Sequence, residues 1–244
     1  MADSRETERK RMFSLFKKRD ARFLIDESTL IEEVRFTVVD TELTGLDEKK
    51  DSIVSIGAVR MAGGRLDLGN TFYRLVSPKT ELTASSVVIH EITPSDVAAQ
   101  PKIDTALAEL LEYAGEDVLV GHFVSIDLAF LNREMKRIHG HALRNAALDT
   151  FSLYEWLRTQ QHARECFVTP LVGYRLYDIV KCFDIPVSNA HNAIMDAYTT
   201  ALLLQRFLPM LREAGVKNLG ELLKTGTPFE GGDRFKTSGE FGNF

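Results

Sequence analysis

Arg35-Phe-Thr-Val-Val-Asp40-Thr-Glu42-Leu-Thr-Gly-Leu46 is the stretch on which the reading of this chain turns. Its first half is a short apolar, β-branched run, the composition of a buried strand. Its second half sets two carboxylates two residues apart, followed by a glycine. Residues so spaced on a strand point to one face, so Asp40 and Glu42 are expected to project side by side as the strand ends, with Gly45 turning the chain. Left without counter-charge, two such groups repel and one takes up a proton, so their coexistence as anions calls for a cation.

Working outward, residues 52–61 read as a second strand that turns at Gly63-Gly64 into a third around residues 70–76, an antiparallel meander. Pro101 then stands where a helix would begin, and Ile103, Leu107, Leu110 and Leu111 recur at helical spacing. Residues 117–120 read as a fourth strand, running into a helix through Leu128, Leu131, Met135 and Ile138. Residues 147–149 read as a fifth, leading into a helix over 151–157. Residues 175–183 read as helix, and Ile194, Ala197, Tyr198, Ala201 and Leu208 mark the apolar stripe of a long final one. A meander followed by alternating strand and helix gives the α/β class, a mixed five-stranded sheet flanked by helices.

The chain has 244 residues, 44% apolar and 27% charged, enough for one core of good size with appendages. Residues 1–32 form a basic extension, 33–215 the main domain, and 216–244 a C-terminal segment expected to be mostly flexible tail. The first 22 residues hold eight Lys or Arg against four acids, with Phe13, Leu15 and Phe16 interleaved. This reads as a helical arm, either solvated and resting on the main domain or contacting a phosphate or a partner. From about Thr225, glycines alternate with Phe229, Phe235, Phe241 and Phe244 without helical or strand periodicity. Cys166 and Cys182 are too far apart for a metal knuckle, and two cysteines make no disulfide framework, which fits a reducing cytoplasm. No apolar stretch approaches the roughly 20 residues that span a bilayer, so no membrane partner is expected. A net charge of −5 argues against broad coating of nucleic acid, so any such partner has to be gripped locally.

Two more fragments carry acids at the start of a helix. His191 and Asp196 are five apart, which on a continuous helix turns them about 140° from each other. They converge on one pocket only if His191 sits in the loop before the helix and Asp196 in its first turns. The spacing of His122 and Asp127 at the mouth of the fourth strand allows the same device.

Together these fragments resemble the motifs of a known family. Asp40-Thr-Glu42-Leu-Thr-Gly-Leu46, Gly121-His-Phe-Val-Ser-Ile-Asp127-Leu-Ala-Phe-Leu131 and His191-Asn-Ala-Ile-Met-Asp196-Ala are similar to the three exonuclease motifs of the DEDDh exonucleases, the group that contains the epsilon proofreading subunit of bacterial DNA polymerase III. The ordered triple covers roughly residues 33–213. The resemblance implies a ribonuclease H-like fold and removal of nucleotides from 3′ ends, DNA favoured over RNA. It implies two Mg²⁺, with Mn²⁺ able to substitute, held by Asp40, Glu42, Asp127 and Asp196, and His191 as general base, since an imidazole can take a proton near neutral pH. Leu43, Thr44, Gly45, Leu46 and Phe123 would contact the terminal nucleotide, and a DNA polymerase subunit is the partner the resemblance admits.

Four positions depart from the family pattern. Leu43 stands for the usual Thr, Phe123 for Asn, Ile126 for Phe, and Glu91 for Gly. Phe123 either stacks on a base or packs in the core. None is an expected metal ligand, so the departures bear on substrate preference. Two alternatives stand beside this reading: an exoribonuclease, because the motifs do not encode how a 2′-hydroxyl is received, and a non-catalytic module that docks on a polymerase. Retention of all five active-site positions counts against the second.

Overall fold

The structure, a computed structural model, describes residues 23, 25–160, 173–187 and 190–228. The basic arm of residues 1–22, the phenylalanines from 229 onward and Cys166 lie outside the described residues.

β1 (Arg35–Leu43) is central because it is apolar on both faces. Phe36 and Val38 point into one core with Asp40 and Glu42 following on the same side, while Val39 points into the other. β2 (Ile53–Ala62) pairs antiparallel with β1, and β3 (Arg65–Leu75) pairs antiparallel with β2. β4 (Val118–Gly121) joins β1 in parallel, and β5 (Ala147–Asp149) joins β4 in parallel. The sheet order is therefore β3-β2-β1-β4-β5, a mixed five-stranded sheet. β3 starts earlier than its apolar residues indicate because its first half is an exposed edge with nothing to bury. The hairpin before it closes through Gly63 at φ 52°, a left-handed position that suits glycine.

Helices cover both faces. α1 (Ala84–His90) and α2 (Pro94–Val97) follow the meander, and both are too short to show helical periodicity in the sequence. Glu91 ends α1 in the left-handed conformation at φ 58°, which explains why glycine suits that position in the family. α3 (Ile103–Ala114) and α4 (Ser125–His139) pack with Val39, Ile56, Ala58 and Phe72 on one face of the sheet. α5 (Thr150–Thr159), α6 (Leu176–Lys181), α7 (Ala193–Glu213) and α8 (Leu219–Thr225) pack on the other. Leu219 and Leu222 of α8 are buried, and the Asp149 amide donates to the Gly226 carbonyl at 2.8 Å, so residues 219–226 belong to the packed body. Among the described residues no helix is long and apolar enough to cross a membrane.

One close approach sets the site. Gly57 lies opposite Asp40 in the β1–β2 register, and a Cβ there would meet the backbone of Ala193 and Ile194 at 2.3 Å. The first turn of α7 thus rests directly on β2, which only glycine allows. Gly57→Ala is expected to cost about 3 kcal/mol through overpacking and to weaken divalent-cation binding with it. Urea denaturation and calorimetric titration with Mn²⁺ would check this, and a variant with unchanged values on both would refute the close seating of α7.

Candidate active site

The alternation of β1 and the seating of α7 bring three carboxylates together. Asp40 and Glu42 leave the end of β1 on the α7 face, Asp196 lies in the first turn of α7, and one oxygen of each falls within 4.8 Å of the others. Asp127 arrives from the opposite side. It lies in the first turn of α4 and accepts the Thr41 hydroxyl at 2.6 Å. Thr41 alternates with its two acidic neighbours, so it faces α4, and Asp127 meets β1 there. His191 stands in the loop just before Asn192, the N-cap of α7, at φ 62°. That left-handed residue reverses the chain so that the imidazole and the Asp196 carboxylate line one cavity of about 450 Å³. Asp40, Glu42 and Asp127 line it too.

Electrostatics follow from that crowding. Burial first, then the charges of Asp127, Asp196 and Glu42, hold Asp40 well above the usual carboxylate range. The Glu42 carboxyl is pushed up to about 8 by burial and by Asp196 and Asp127. Burial raises Asp127 to about 7 against the opposing hydrogen bond from Thr41. Asp196 is raised by burial as well, opposed by its bonds and by His191. Each of the four carboxyls is thus shifted toward its protonated form, the condition in which a divalent cation would compete with protons for the same oxygens. An all-oxygen donor set suits hard ions such as Mg²⁺ or Mn²⁺.

The nucleotide-contact candidates divide by environment. Leu46 is 53% exposed at the cavity mouth, whereas Thr44 is 2% exposed. The Thr44 hydroxyl donates to Asp51 at 3.0 Å and accepts the Ser52 amide at 3.0 Å, so its side chain organises the loop. A Cβ at Gly45 would come within 2.5 Å of the Asp51 carboxylate, so a larger residue there displaces that side chain. Leu43 packs on the α4-side core and lines the cavity as well. Phe123 is buried, its ring 4.6 Å from that of His122 and 4.7 Å from that of Phe151, and it presents only its margin to the cavity. Its left-handed backbone, φ 53°, is braced by its amide donating to Asp149 at 3.1 Å.

His122 has a bracing role. Its Nε2 faces the Tyr174 carbonyl at 3.0 Å, which can only accept, so Nε2 carries the proton, while Nδ1 lies 2.9 Å from the Thr150 hydroxyl, which also has the Gly121 carbonyl as an acceptor at 3.1 Å. Burial lowers its pKa to about 4, so the ring is neutral, with both nitrogens occupied.

Sequence reasoning did not single out two cavity residues. Tyr177 of α6 donates its hydroxyl to Asp196 and meets the His191 ring edge-on at 5.9 Å. His90, 5% exposed, accepts the Ile92 amide at Nδ1 and leaves Nε2 without a partner. Tyr177 sits in no motif with a recognisable spacing, and His90 stands next to Glu91 in a stretch where only the Glu91 departure drew notice. Arg175 brings a cation to the same wall.

A mixed sheet with acidic residues gathered at the end of its central strand defines a nuclease of the ribonuclease H-like fold. The exonuclease family profile (RNase_T) matches residues 37–204, and the chain belongs to that family; it is a 3′–5′ exonuclease. It is 33% identical over 176 residues to DNA polymerase III subunit epsilon of Aquifex aeolicus, covering 72% of this chain and 81% of that one. It is 30% identical over 194 residues to DNA polymerase III PolC-type of Bacillus subtilis, 79% of this chain but only 13% of that much longer protein. Among solved structures it is similar to E. coli exonuclease I in complex with a dT13 oligonucleotide, with TM-score 0.63 and 18% identity over 75% of this chain and 42% of that one. It is also similar to exonuclease X in complex with 5′ overhanging duplex DNA, with TM-score 0.54 and 23% identity over 78% of this chain and 99% of that one. These likenesses identify the fold.

The raised carboxyls link stability to pH with a definite sign. Between the ordinary carboxylate range and about pH 8, the folded form keeps protons on Glu42 and Asp127 that the unfolded chain has released. Stability of the metal-free protein therefore falls as pH rises through that window. Thermal melts in EDTA are expected to show Tm dropping from about pH 5 to about pH 8, and Mg²⁺ or Mn²⁺ to raise Tm most at the upper end. A metal-free Tm that climbs across the window would contradict the crowding of these acids.

Proposed function

We propose that this protein is a DNA exonuclease that removes the last nucleotide from single-stranded or frayed 3′ ends and releases nucleoside 5′-monophosphates. The observation that carries the reading is the meeting of the Asp40, Glu42 and Asp196 oxygens within 4.8 Å, with Asp127 and His191 on the same cavity.

Asp40, Glu42, Asp127 and Asp196 are the residues that would hold two divalent cations, Mg²⁺ with Mn²⁺ as substitute. Bound there, such ions acidify water and stabilise charge on the phosphoryl oxygens. His191 accepts the proton of the attacking water at a ring nitrogen. As the water oxygen bonds to phosphorus, the bond from phosphorus to the 3′ oxygen of the penultimate nucleotide breaks in line, and that oxygen leaves with the electron pair and takes a proton from solvent water to become a new 3′ hydroxyl. Leu46, Gly45 and Thr44 receive the terminal nucleotide through backbone and an apolar side chain, with Leu43 and the margin of Phe123 closing the cavity around it. Tyr177 holds Asp196 in place.

DNA as substrate is supported by the relatives, which are named as DNA polymerase III proteins, and by fold neighbours solved with DNA oligonucleotides. A polymerase subunit as partner and a cytoplasmic setting belong to the same proposal, resting on the epsilon subunit likeness.

Purified protein is expected to shorten 5′-labelled single-stranded DNA from its 3′ end with Mg²⁺ or Mn²⁺ and to stop with chelator. Asp40→Ala is expected to abolish turnover, and His191→Ala to slow it by on the order of 10² to 10⁴ with binding largely kept. Equal ladders from Asp40→Ala and wild type would defeat the assignment. A matched RNA strand degraded faster than DNA would make the protein an exoribonuclease instead.

A further inference from the structure

The β1–β2 loop, residues 44–52, forms one wall of the cavity with its first residues and is tied down twice. From inside, Asp51 accepts the Thr44 hydroxyl at 3.0 Å and the Asp47 amide at 2.8 Å, and Thr44 and Ser52 bond across the loop mouth at 2.9 Å. From outside, Arg133 reaches over from α4. Its Nη1 donates to the Glu48 carbonyl and, at 2.8 Å, to the Asp51 carbonyl. Its Nε and Nη2 face one oxygen of Glu134 at 3.1 and 3.0 Å, and its guanidinium lies 5.2 Å from the centre of the Phe130 ring. Glu134 is itself buried and takes Arg137 at 2.7 Å. The guanidinium is thus held in plane from one side while its other edge grips two backbone carbonyls. A lysine cannot reproduce this, because it offers a point charge with no rigid fork.

The helix that supplies this grip also carries Asp127, six residues earlier. Arg133 therefore spans the gap between the cavity wall of Thr44, Gly45 and Leu46 and the element that brings the fourth carboxylate. We propose that Arg133 is a positioning residue for the 3′-terminal nucleotide, fixing the distance between the loop that receives it and the carboxylate cage. The inference rests on the functional reading above. Arg133 does not line the cavity. It acts through the loop, and a shift of about 1 Å in such a wall is enough to lower turnover by about 10²-fold.

The test is Arg133→Lys, assayed well below its Tm. kcat/KM on an intact 3′ end is expected to fall about 10- to 100-fold, while Mn²⁺ titration by calorimetry stays as in wild type. On an otherwise identical strand whose last residue is abasic, the same substitution is expected to cost less than about threefold, because the wall then has no base to position. Asp51→Asn loosens the loop from within and leaves α4 untouched, so it is expected to show the same pattern should Arg133→Lys fail to fold. A lowered Tm with unchanged kcat/KM, or equal losses on intact and abasic ends, would reduce Arg133 to scaffold and overturn the proposal. Wild-type protein inactive on every 3′ end would instead remove the nuclease reading itself.

Discussion

Carboxylates drawn into a common, largely buried space are the constraint on which this structure depends. Desolvation of each acid disfavours its charge, and each neighbour adds repulsion, so the group cannot be fully ionised unless something positive joins it. Asp40 feels this most, lying between Glu42 on its own strand, Asp196 from α7 and Asp127 from α4. A protein does not assemble such a cluster for stability, since apolar residues would serve the core better. The arrangement is that of an acidic site able to hold a metal ion.

The fold meets the constraint by using both faces of one strand. Phe36 and Val38 anchor β1 in the core under α7, and the same parity delivers Asp40 and Glu42 to Asp196. The opposite parity delivers Thr41 to Asp127. Gly57 lets α7 come close enough for the first group, and Asp149, fully buried, braces the turn into α4 for the second by accepting the Phe123 amide. Backbone strain is concentrated at the site without being confined to it: among non-glycine described residues the left-handed positions are Glu91, Phe123, Asp184 and His191, of which Phe123 and His191 line the cavity. Such residues persist where surrounding packing over-determines them.

The departures from the family pattern are absorbed by packing. Leu43 and Ile126 both rest on the α4-side core while lining the cavity, so each trades a change in its surface for apolar contact beneath. Phe123 follows the same logic, with its ring against His122 and Phe151. Glu91 keeps a conformation that glycine adopts more easily and lies beside His90, a cavity-lining residue whose Nε2 is buried without a hydrogen-bond partner.

Local chemistry was written along the chain. The period-two placement of Asp40 and Glu42, the β-branched run before them, the glycine turn and the helical stripes of α3, α4 and α7 follow from propensity and alternation, which act over a few residues. The sheet and its class were legible for that reason, whereas the exposed half of β3, the short α1 and α2, and α8 were not, since edges and single turns carry no periodic burial signal. Tertiary structure alone decided that three of the acids form one trio while Asp127 joins through Thr41, that His122 braces the wall of the cavity that His191 also lines, that Tyr177 and His90 line it too, and that Arg133 stands behind its loop. Those are contacts between residues distant in sequence, and which ones meet depends on how closely packed elements approach, here on the missing side chain of Gly57 as much as on any group that is present.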